Sequence, residues 1–313
     1  MSAAGTGADA LLADGPRDAS REATSLREWL RLLRPKQWAK NSFVVAPLLF
    51  SGLVRRPESI LLAGAAFALF CLLASGVYCW NDVADRVADR SHPTKRNRPI
   101  ARGTISPRAG LLAGAIFIGI GLTGSWLIAP GMGLVMLAYL ALNVLYTRVL
   151  KALVILDVFA IAAFFVLRLL AGAAAIDVRP SVWLLLCGGL LALYIGFAKR
   201  RHELAILGAD STDHRSVLEH YDVALLDQMS VILLSVTVVS YIMYTLTSQT
   251  AAQVGTETLS YSTVFVLYGM FRYLYLVHGV GKGGDPTDTL LTDRALLVDG
   301  VLWLGYCGWV IYL

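Results

Sequence analysis

Asn81, Asp82, Asp85 and Asp89 close an apolar run with four oxygen-bearing side chains at helical spacing. If the helix continues past that run, Asp82, Asp85 and Asp89 stand at i, i+3 and i+7, with Asn81 four residues before Asp85, so all four share one face. Such groups repel one another unless a cation sits among them. Hard oxygen ligands suit Mg2+, which binds through one or two carboxylates and completes its shell with waters and substrate phosphate oxygens. A solvated helix end, with Asp82 and Arg86 as an i,i+4 pair, would be worth only about 0.2–0.5 kcal/mol and would not place a third carboxylate on the stripe. The chemistry expected is capture of a metal-bound diphosphate, with Asp82, Asp85 and Asp89 as the catalytic carboxylates.

Basic residues gather beside this stripe. The stretch Ser91–Gly103 carries Lys95, Arg96, Arg98 and Arg102, and Pro93 and Pro99 keep it from being a helix interior. Cations there can receive the phosphate oxygens that a metal leaves unneutralised. His92 in the same loop reads as structural. A second cationic group is Lys199-Arg200-Arg201, between Tyr194 and Glu203, and a third precedes the first apolar run as Lys36, Trp38, Lys40 and Asn41. Helical phase puts Tyr194 with Arg201 and Lys199 with Glu203. Asp157, Arg168 and Arg272 lie within apolar runs, where an ionisable side chain is costly and faces the bundle interior or a wet cavity; Asn143 and Tyr146 end another run. Gly281–Asp288 reads as a glycine-rich turn.

The elements that must position these residues are membrane helices. Of 313 residues, 57% are hydrophobic and 16% charged, and the mean hydropathy is +0.63; soluble domains average about 45–50% apolar and about 25% charged. Apolar runs recur near 42–54, 59–80, 108–129, 131–147, 152–173, 181–198, 225–248, 258–279 and 295–313, which predicts an all-α integral membrane protein of nine transmembrane helices. The first run is short and interrupted by Pro47. With a cytoplasmic N-terminus, about 22 of the 27 basic residues fall in inside segments and only Arg55, Arg56 and Arg179 outside, Arg168 and Arg272 lying within spans. Every long polar loop then faces the cytoplasm, and this asymmetry accounts for most of the net charge of +5 without nucleic acid. Residues 1–25 read as a disordered cytoplasmic tail without a signal-peptide core, and 26–313 as one catalytic domain. Cys71, Cys79, Cys187 and Cys307 all sit in apolar runs and read as buried hydrophobes.

The pattern Asn81-Asp82-x-x-Asp85-x-x-x-Asp89, followed by Arg96-Asn97-Arg98-Pro99-Ile100 and Gly103, resembles the first aspartate-rich motif of the UbiA-type membrane prenyltransferases, and the resemblance extends over nearly all of the chain after residue 25. It implies Mg2+, with Mn2+ as a substitute, on Asn81, Asp82, Asp85 and Asp89. The chain departs from that pattern where a second aspartate-rich motif belongs: Lys199-Arg200-Arg201 stands there, and Asp210 and Asp213 follow further on. Together with the Lys36–Asn41 segment, this resembles the branch of decaprenyl-phosphate phosphoribosyltransferases. The branch implies transfer of 5-phosphoribosyl from phosphoribosyl diphosphate to a polyprenyl phosphate at the plasma membrane, feeding cell-wall arabinan assembly. The residues expected to bind the two substrates are Lys36, Lys40, Asn41, Lys95, Arg98, Tyr146, Arg168, Tyr194, Lys199, Arg200, Arg201 and Glu203. Two other functions fit less well. An aromatic or quinone-precursor prenyltransferase has no use for the Lys199–Arg201 run. An anion transporter usually places its site near the midplane, whereas the ionisable groups here gather at one face. The sequence leaves homo-oligomerisation open.

Overall fold

A computed structural model of the chain describes residues 25–93, 95–207, 216–247, 258–279, 289 and 292–312. Among them every regular element is helical. A short amphipathic α1 (Leu26–Leu33) leads into a 3-10 segment (Pro35–Val44) and the single turn α2 (Ala46–Phe50). The long α3 (Pro57–Ala84) is followed by two short helices, α4 (Arg86–Ser91) and α5 (Pro99–Arg102). Then come α6 (Pro107–Ile128), α7 (Pro130–Arg148), α8 (Leu156–Ala175), α9 (Val182–Leu207), α10 (Val223–Leu246), α11 (Thr263–Gly279) and α12 (Arg294–Tyr312).

Local sequence sets these boundaries. Proline opens α3, α5, α6 and α7, where its missing N–H costs nothing and its φ suits the first turn. Ser106 and Asp222 cap α6 and α10 by accepting from Ala109 N–H (3.2 Å) and Leu225 N–H (2.7 Å). Only Ala129 separates α6 from α7, which makes them antiparallel neighbours.

Seven of these helices are long and apolar enough to cross a membrane: α3, α6, α7, α8, α9, α10 and α12. Two of the nine runs expected to span are not among these seven. The 258–279 run yields α11, with 17 residues. The 42–54 run is no continuous helix: the 3-10 segment ends at Val44, Pro47 sits in the first turn of α2, and Gly52 follows at φ +76°. Broken backbone at membrane depth persists only where protein covers it. Here Val44 and Asn41 are buried against α3 and α8. The close approach depends on Gly172 of α8, where a Cβ would stand 1.8 Å from the Val44 carbonyl oxygen.

The same device joins α3 to α6. A Cβ on Gly76 would lie 2.7 Å from the Gly114 carbonyl, and one on Gly114 would strike the Trp80 ring at 2.5 Å. Small residues let the two backbones approach, as membrane helices without a hydrophobic driving force between them require. Phe70, Leu73, Met132, Met136 and Tyr139 fill the core between α3 and α7. Leu61, Leu112, Leu127, Ile232 and Val301 point outward and are exposed, as lipid-facing positions should be. The antiparallel run from α3 to α8 gathers the C-terminal ends of α3 and α7 and the N-terminal ends of α6 and α8 at one end of the bundle. Ion pairs bring the C-terminal end of α9 and the N-terminal end of α10 to that end as well.

Gly172→Ala should destabilise the protein by about 1–3 kcal/mol, because overpacking must push the 3-10 segment away. Gly300→Ala, with open space around the added carbon, should be neutral or stabilising by up to about 1 kcal/mol. Thermal unfolding of the two variants in detergent separates these outcomes.

Candidate functional site

The aspartate stripe is bent. α3 ends at Ala84, Asp85 sits between helices at φ −89° and ψ 4°, and α4 resumes at Arg86. The bend leaves Asp85 exposed and turns Asp82 and Asp89 inward, at 2% and 3% exposure, with Asn81 half-buried between solvent and bundle. Arg98 bridges the two buried carboxylates through one nitrogen: Nη1 donates to Asp82 Oδ1 at 3.2 Å and to Asp89 Oδ2 at 2.6 Å. Arg34 donates to the same Asp82 oxygen and lies over the Tyr78 ring, 4.9 Å from its centroid.

Arg34 reaches Asp82 because the chain turns sharply there. It caps α1 in the left-handed region (φ +53°), a conformation uncommon for a residue with a side chain, and Pro35 follows it. Glu28 of α1 anchors the arrangement, pairing with Arg31 (2.7 Å) and Arg102 (3.6 Å) and accepting from Thr104 Oγ1 at 3.1 Å. α1 is thereby clamped to α5, which carries the Arg98 side. Lys36 and Lys95 are exposed at the rim, and Lys40 donates to Gln37 at 2.6 Å. His92 accepts the Lys95 N–H at 3.4 Å, a loop contact.

Among the described residues no three His, Cys, Asp or Glu side chains converge on a metal-sized point. The donor set nonetheless suits a hard divalent cation: all four groups are oxygen ligands, and Asp82 and Asp89 already hold a cationic nitrogen between them.

Lys199, Arg200 and Arg201 separate in space. Arg200 is 1% exposed and donates from Nε to Asp157 Oδ2 at 2.9 Å and from Nη1 to Glu203. Arg201 turns to Asp227 of α10 at 2.5 Å. Half-buried Lys199 has no ion pair among the described residues. Successive residues of a helix differ by about a third of a turn, so the three cations address different neighbours. Arg200, expected from sequence among the substrate-binding residues, is buried between Asp157 and Glu203. Tyr194 lies in the core of α9 and α11, edge-on to Tyr273 at 5.7 Å. Tyr146 packs edge-on to Phe164 at 5.9 Å.

Arg168 is likewise a bundle residue, 4% exposed. Its guanidinium donates to Asn41 Oδ1 (2.8 Å), the Phe164 carbonyl (2.8 Å) and Tyr139 Oη (3.2 Å), and lies over the Phe70, Tyr139 and Phe165 rings at 5.2–5.3 Å. Asn41 also donates to Cys71 Sγ at 3.3 Å. Neither Arg168 nor Asn41 reaches the carboxylate site. Arg272 pairs with Asp293 at 2.9 Å, and its hydrogen bond holds that carboxyl below the usual range. Asp210, Asp213, residues 1–24 and the Gly281–Asp288 turn lie outside the described residues.

Arg34 and Asp227 were not singled out from the sequence, whereas Asp157 stood as a candidate for either a structural role or a substrate contact. Arg34-Pro35 offered a local signal, since proline restricts the residue before it. Asp227 offered none.

Residues 43–285 match the UbiA prenyltransferase family, and the chain belongs to it. It is 32% identical over 294 residues to the decaprenyl-phosphate phosphoribosyltransferase of Mycolicibacterium smegmatis, covering 90% of this chain and 92% of that one. It is 33% identical over 284 residues to the enzyme of the same name from Mycobacterium tuberculosis, covering 89% and 92%. The fold matches a UbiA homolog from Archaeoglobus fulgidus, solved with GPP and Mg2+, at TM-score 0.68 and 18% identity over 91% of this chain and 100% of that one. The protein is a multi-pass integral membrane member of this family.

Arg200→Leu should cost about 3–5 kcal/mol, because it leaves Asp157 charged and buried without a partner. Arg201→Leu breaks a pair whose aspartate is 36% exposed and should cost less than about 1 kcal/mol. Equal losses in thermal stability would contradict the assignment of Arg200 to the fold.

Proposed function

We propose that the protein transfers 5-phosphoribosyl from phosphoribosyl diphosphate to decaprenyl or another polyprenyl phosphate, releasing diphosphate. The observation that carries the reading is the pair of buried carboxylates, Asp82 and Asp89, sharing the Arg98 guanidinium at the polar end of a membrane bundle. The relatives named above, similar along nine-tenths of the chain, support this choice of substrates.

Asn81, Asp82, Asp85 and Asp89 would hold Mg2+, with Mn2+ as a substitute. When bound, the metal supplies electrostatic assistance to departure of the diphosphate. The chain's own cations do the remaining recognition. Arg34 and Arg98 can turn from carboxylate to phosphate oxygens, since guanidinium matches both bidentately. Exposed Lys36 and Lys95 and half-buried Lys199 extend the positive rim to the donor's 5-phosphate and the lipid phosphate.

The anomeric carbon gains positive charge as its bond to the diphosphate oxygen breaks, as in other glycosyl transfers. A lipid phosphate oxygen forms the new bond from the opposite face, with inversion. A phosphate monoester already carries about −1.5 to −2 charge at neutral pH, so no general base is required. The basic-residue asymmetry supports a plasma-membrane protein whose site faces the cytoplasm. The polyprenyl tail leaves sideways between outward-facing apolar helices, and the product suits assembly of cell-wall arabinan.

Purified protein incubated with labelled phosphoribosyl diphosphate, decaprenyl phosphate and Mg2+ should yield lipid-extractable label. EDTA should abolish it. Asp85→Ala should reduce it at least about 100-fold, on the scale of a lost electrostatic contact in the transition state. Because Asp85 is exposed and has no ion pair among the described residues, that loss reports chemistry rather than folding. No product at several lipid lengths, with prenylation of an aromatic acceptor from prenyl diphosphate, would overturn the reading.

A further inference from the structure

The end of the bundle opposite the aspartate stripe holds a cleft that the proposed reaction does not use. It lies where the first turn of α3, the α6–α7 junction and the end of α8 meet, and its volume is about 420 Å3. Small-molecule sites span about 300–1,000 Å3. The short side chains of Ala129, Ala174 and Ala175 leave the space, and Leu53, Leu62 and Ile176 form one apolar cluster along it.

The α3 wall is rich in unused donors. Ser59, on the inward face of α3, is only 8% exposed and lines the cleft, and its hydroxyl has no hydrogen-bond partner among the described residues. A polar group so deeply placed is costly to leave unpaired. α3 also starts without a side-chain cap. The Ile60 N–H donates to the Arg56 carbonyl at 3.2 Å, but the Glu58 and Ser59 N–H groups meet no acceptor among the described residues. Arg56 lines the cleft beside them, exposed and without an ion pair among the described residues. A hydroxyl, backbone N–H groups and a guanidinium together suit a phosphate.

The α8 wall has the reverse polarity. Its last turn closes with the Val178 N–H on the Ala173 carbonyl at 3.0 Å and the Asp177 N–H on that of Ala174 at 3.4 Å. Asp177 takes the left-handed position, at φ +51°, which most often goes to glycine. A carboxylate is also disfavoured at the negative end of a helix dipole. Asp177 thus sits against both local preferences, exposed at the cleft and without an ion pair among the described residues. Glu58 adds a second exposed carboxylate to the lining. A cation offsets both.

We infer that this cleft binds the head group of a phospholipid that carries a phosphate and a primary ammonium. The phosphate lies against Arg56, Ser59 and the start of α3, and the ammonium against Asp177 and the end of α8. A simple anion would face the carboxylates, and a simple cation would face Arg56 and the positive end of α3; a zwitterion satisfies both walls. A primary ammonium offers three N–H donors to carboxylate and carbonyl oxygens, which a quaternary one lacks. The lipid source follows from the place. The cleft is bordered by the ends of the spanning helices α3, α7 and α8, at the level of lipid head groups. Ile60 and Leu127, next in sequence to lining residues, face outward where acyl chains run. The bound lipid ties the start of α3 to the end of α8, and the inference stands apart from the phosphoribosyl reading.

The test titrates the delipidated full chain in detergent with dioleoyl phosphatidylethanolamine, phosphatidylcholine or phosphatidylglycerol. Bound lipid is read by native mass spectrometry and by Tm, which rises with any ligand of the folded state. The ethanolamine lipid should bind about 3- to 10-fold more tightly than the other lipids. Asp177→Asn, which keeps a residue suited to the left-handed position, should erase that preference. Arg56→Gln should weaken binding about 3- to 10-fold, whereas Arg179→Gln, the same change of charge at a residue outside the cleft lining, should not. Ser59→Ala should leave the lipid-free Tm unchanged or higher, because an unpaired hydroxyl is lost, and still weaken binding about threefold. A structural role for Ser59 would move the lipid-free Tm down instead. Glycerophosphoethanolamine, the same head without acyl chains, should compete only at about 100-fold higher concentration or more. Equal binding of the three lipids by the wild type, or an ethanolamine preference undiminished in Asp177→Asn, overturns the inference. Equal potency of glycerophosphoethanolamine overturns the assignment to a membrane lipid.

Discussion

Arg98 holds two buried carboxylates with one nitrogen, and the polar end of the bundle is organised around that contact. Asp82 ends the longest helix and Asp89 sits beyond a bend, so without a shared cation two negative charges would face each other in a poorly solvated place. The bend at Asp85 brings them together. Arg34 also pairs with Asp82, from the left-handed turn at the end of α1. That turn is secured in its turn by Glu28, Arg102 and Thr104. The placement of α1 thus follows from this electrostatic requirement, and the proposed metal and phosphate binding would draw on the same groups.

The same requirement governs the other buried charges, with different outcomes. Arg200 pairs with one oxygen of buried Asp157 and with Glu203, and joins α9 to α8. Arg168 meets no carboxylate; three aromatic faces, an amide, a phenol and a backbone carbonyl surround it instead. A guanidinium tolerates this because it is weakly hydrated and stacks on rings. The cost of charge in hydrocarbon explains why these residues are so fully engaged.

Much of this was legible in the sequence. The spacing of Asp82, Asp85 and Asp89 at the end of an apolar run carried the family and marked the end of α3 where the buried carboxylates gather, because local periodicity survives folding. Composition gave a helical membrane protein. The first apolar run was harder: Pro47 and Gly52 marked interruptions, but only Gly172, far along the chain, makes a broken segment there tolerable. Lys199-Arg200-Arg201 read as one patch and folded as three separate residues, since their partners Asp157 and Asp227 come from helices whose packing no local pattern encodes. Arg34 was passed over for a related reason. Its partner is 48 residues away, and only the tertiary fold brings the two together.

In the proposed function, Asp82 and Asp89 exchange a guanidinium for a divalent cation when diphosphate arrives. Titration of the purified protein with Mn2+, followed by electron paramagnetic resonance with and without inorganic diphosphate, measures this directly. Bound Mn2+ whose affinity rises with diphosphate is expected, as Arg34 and Arg98 transfer to phosphate oxygens, with loss of that binding in Asp82→Asn. No bound Mn2+ in the wild type, or unchanged binding in Asp82→Asn, would contradict it.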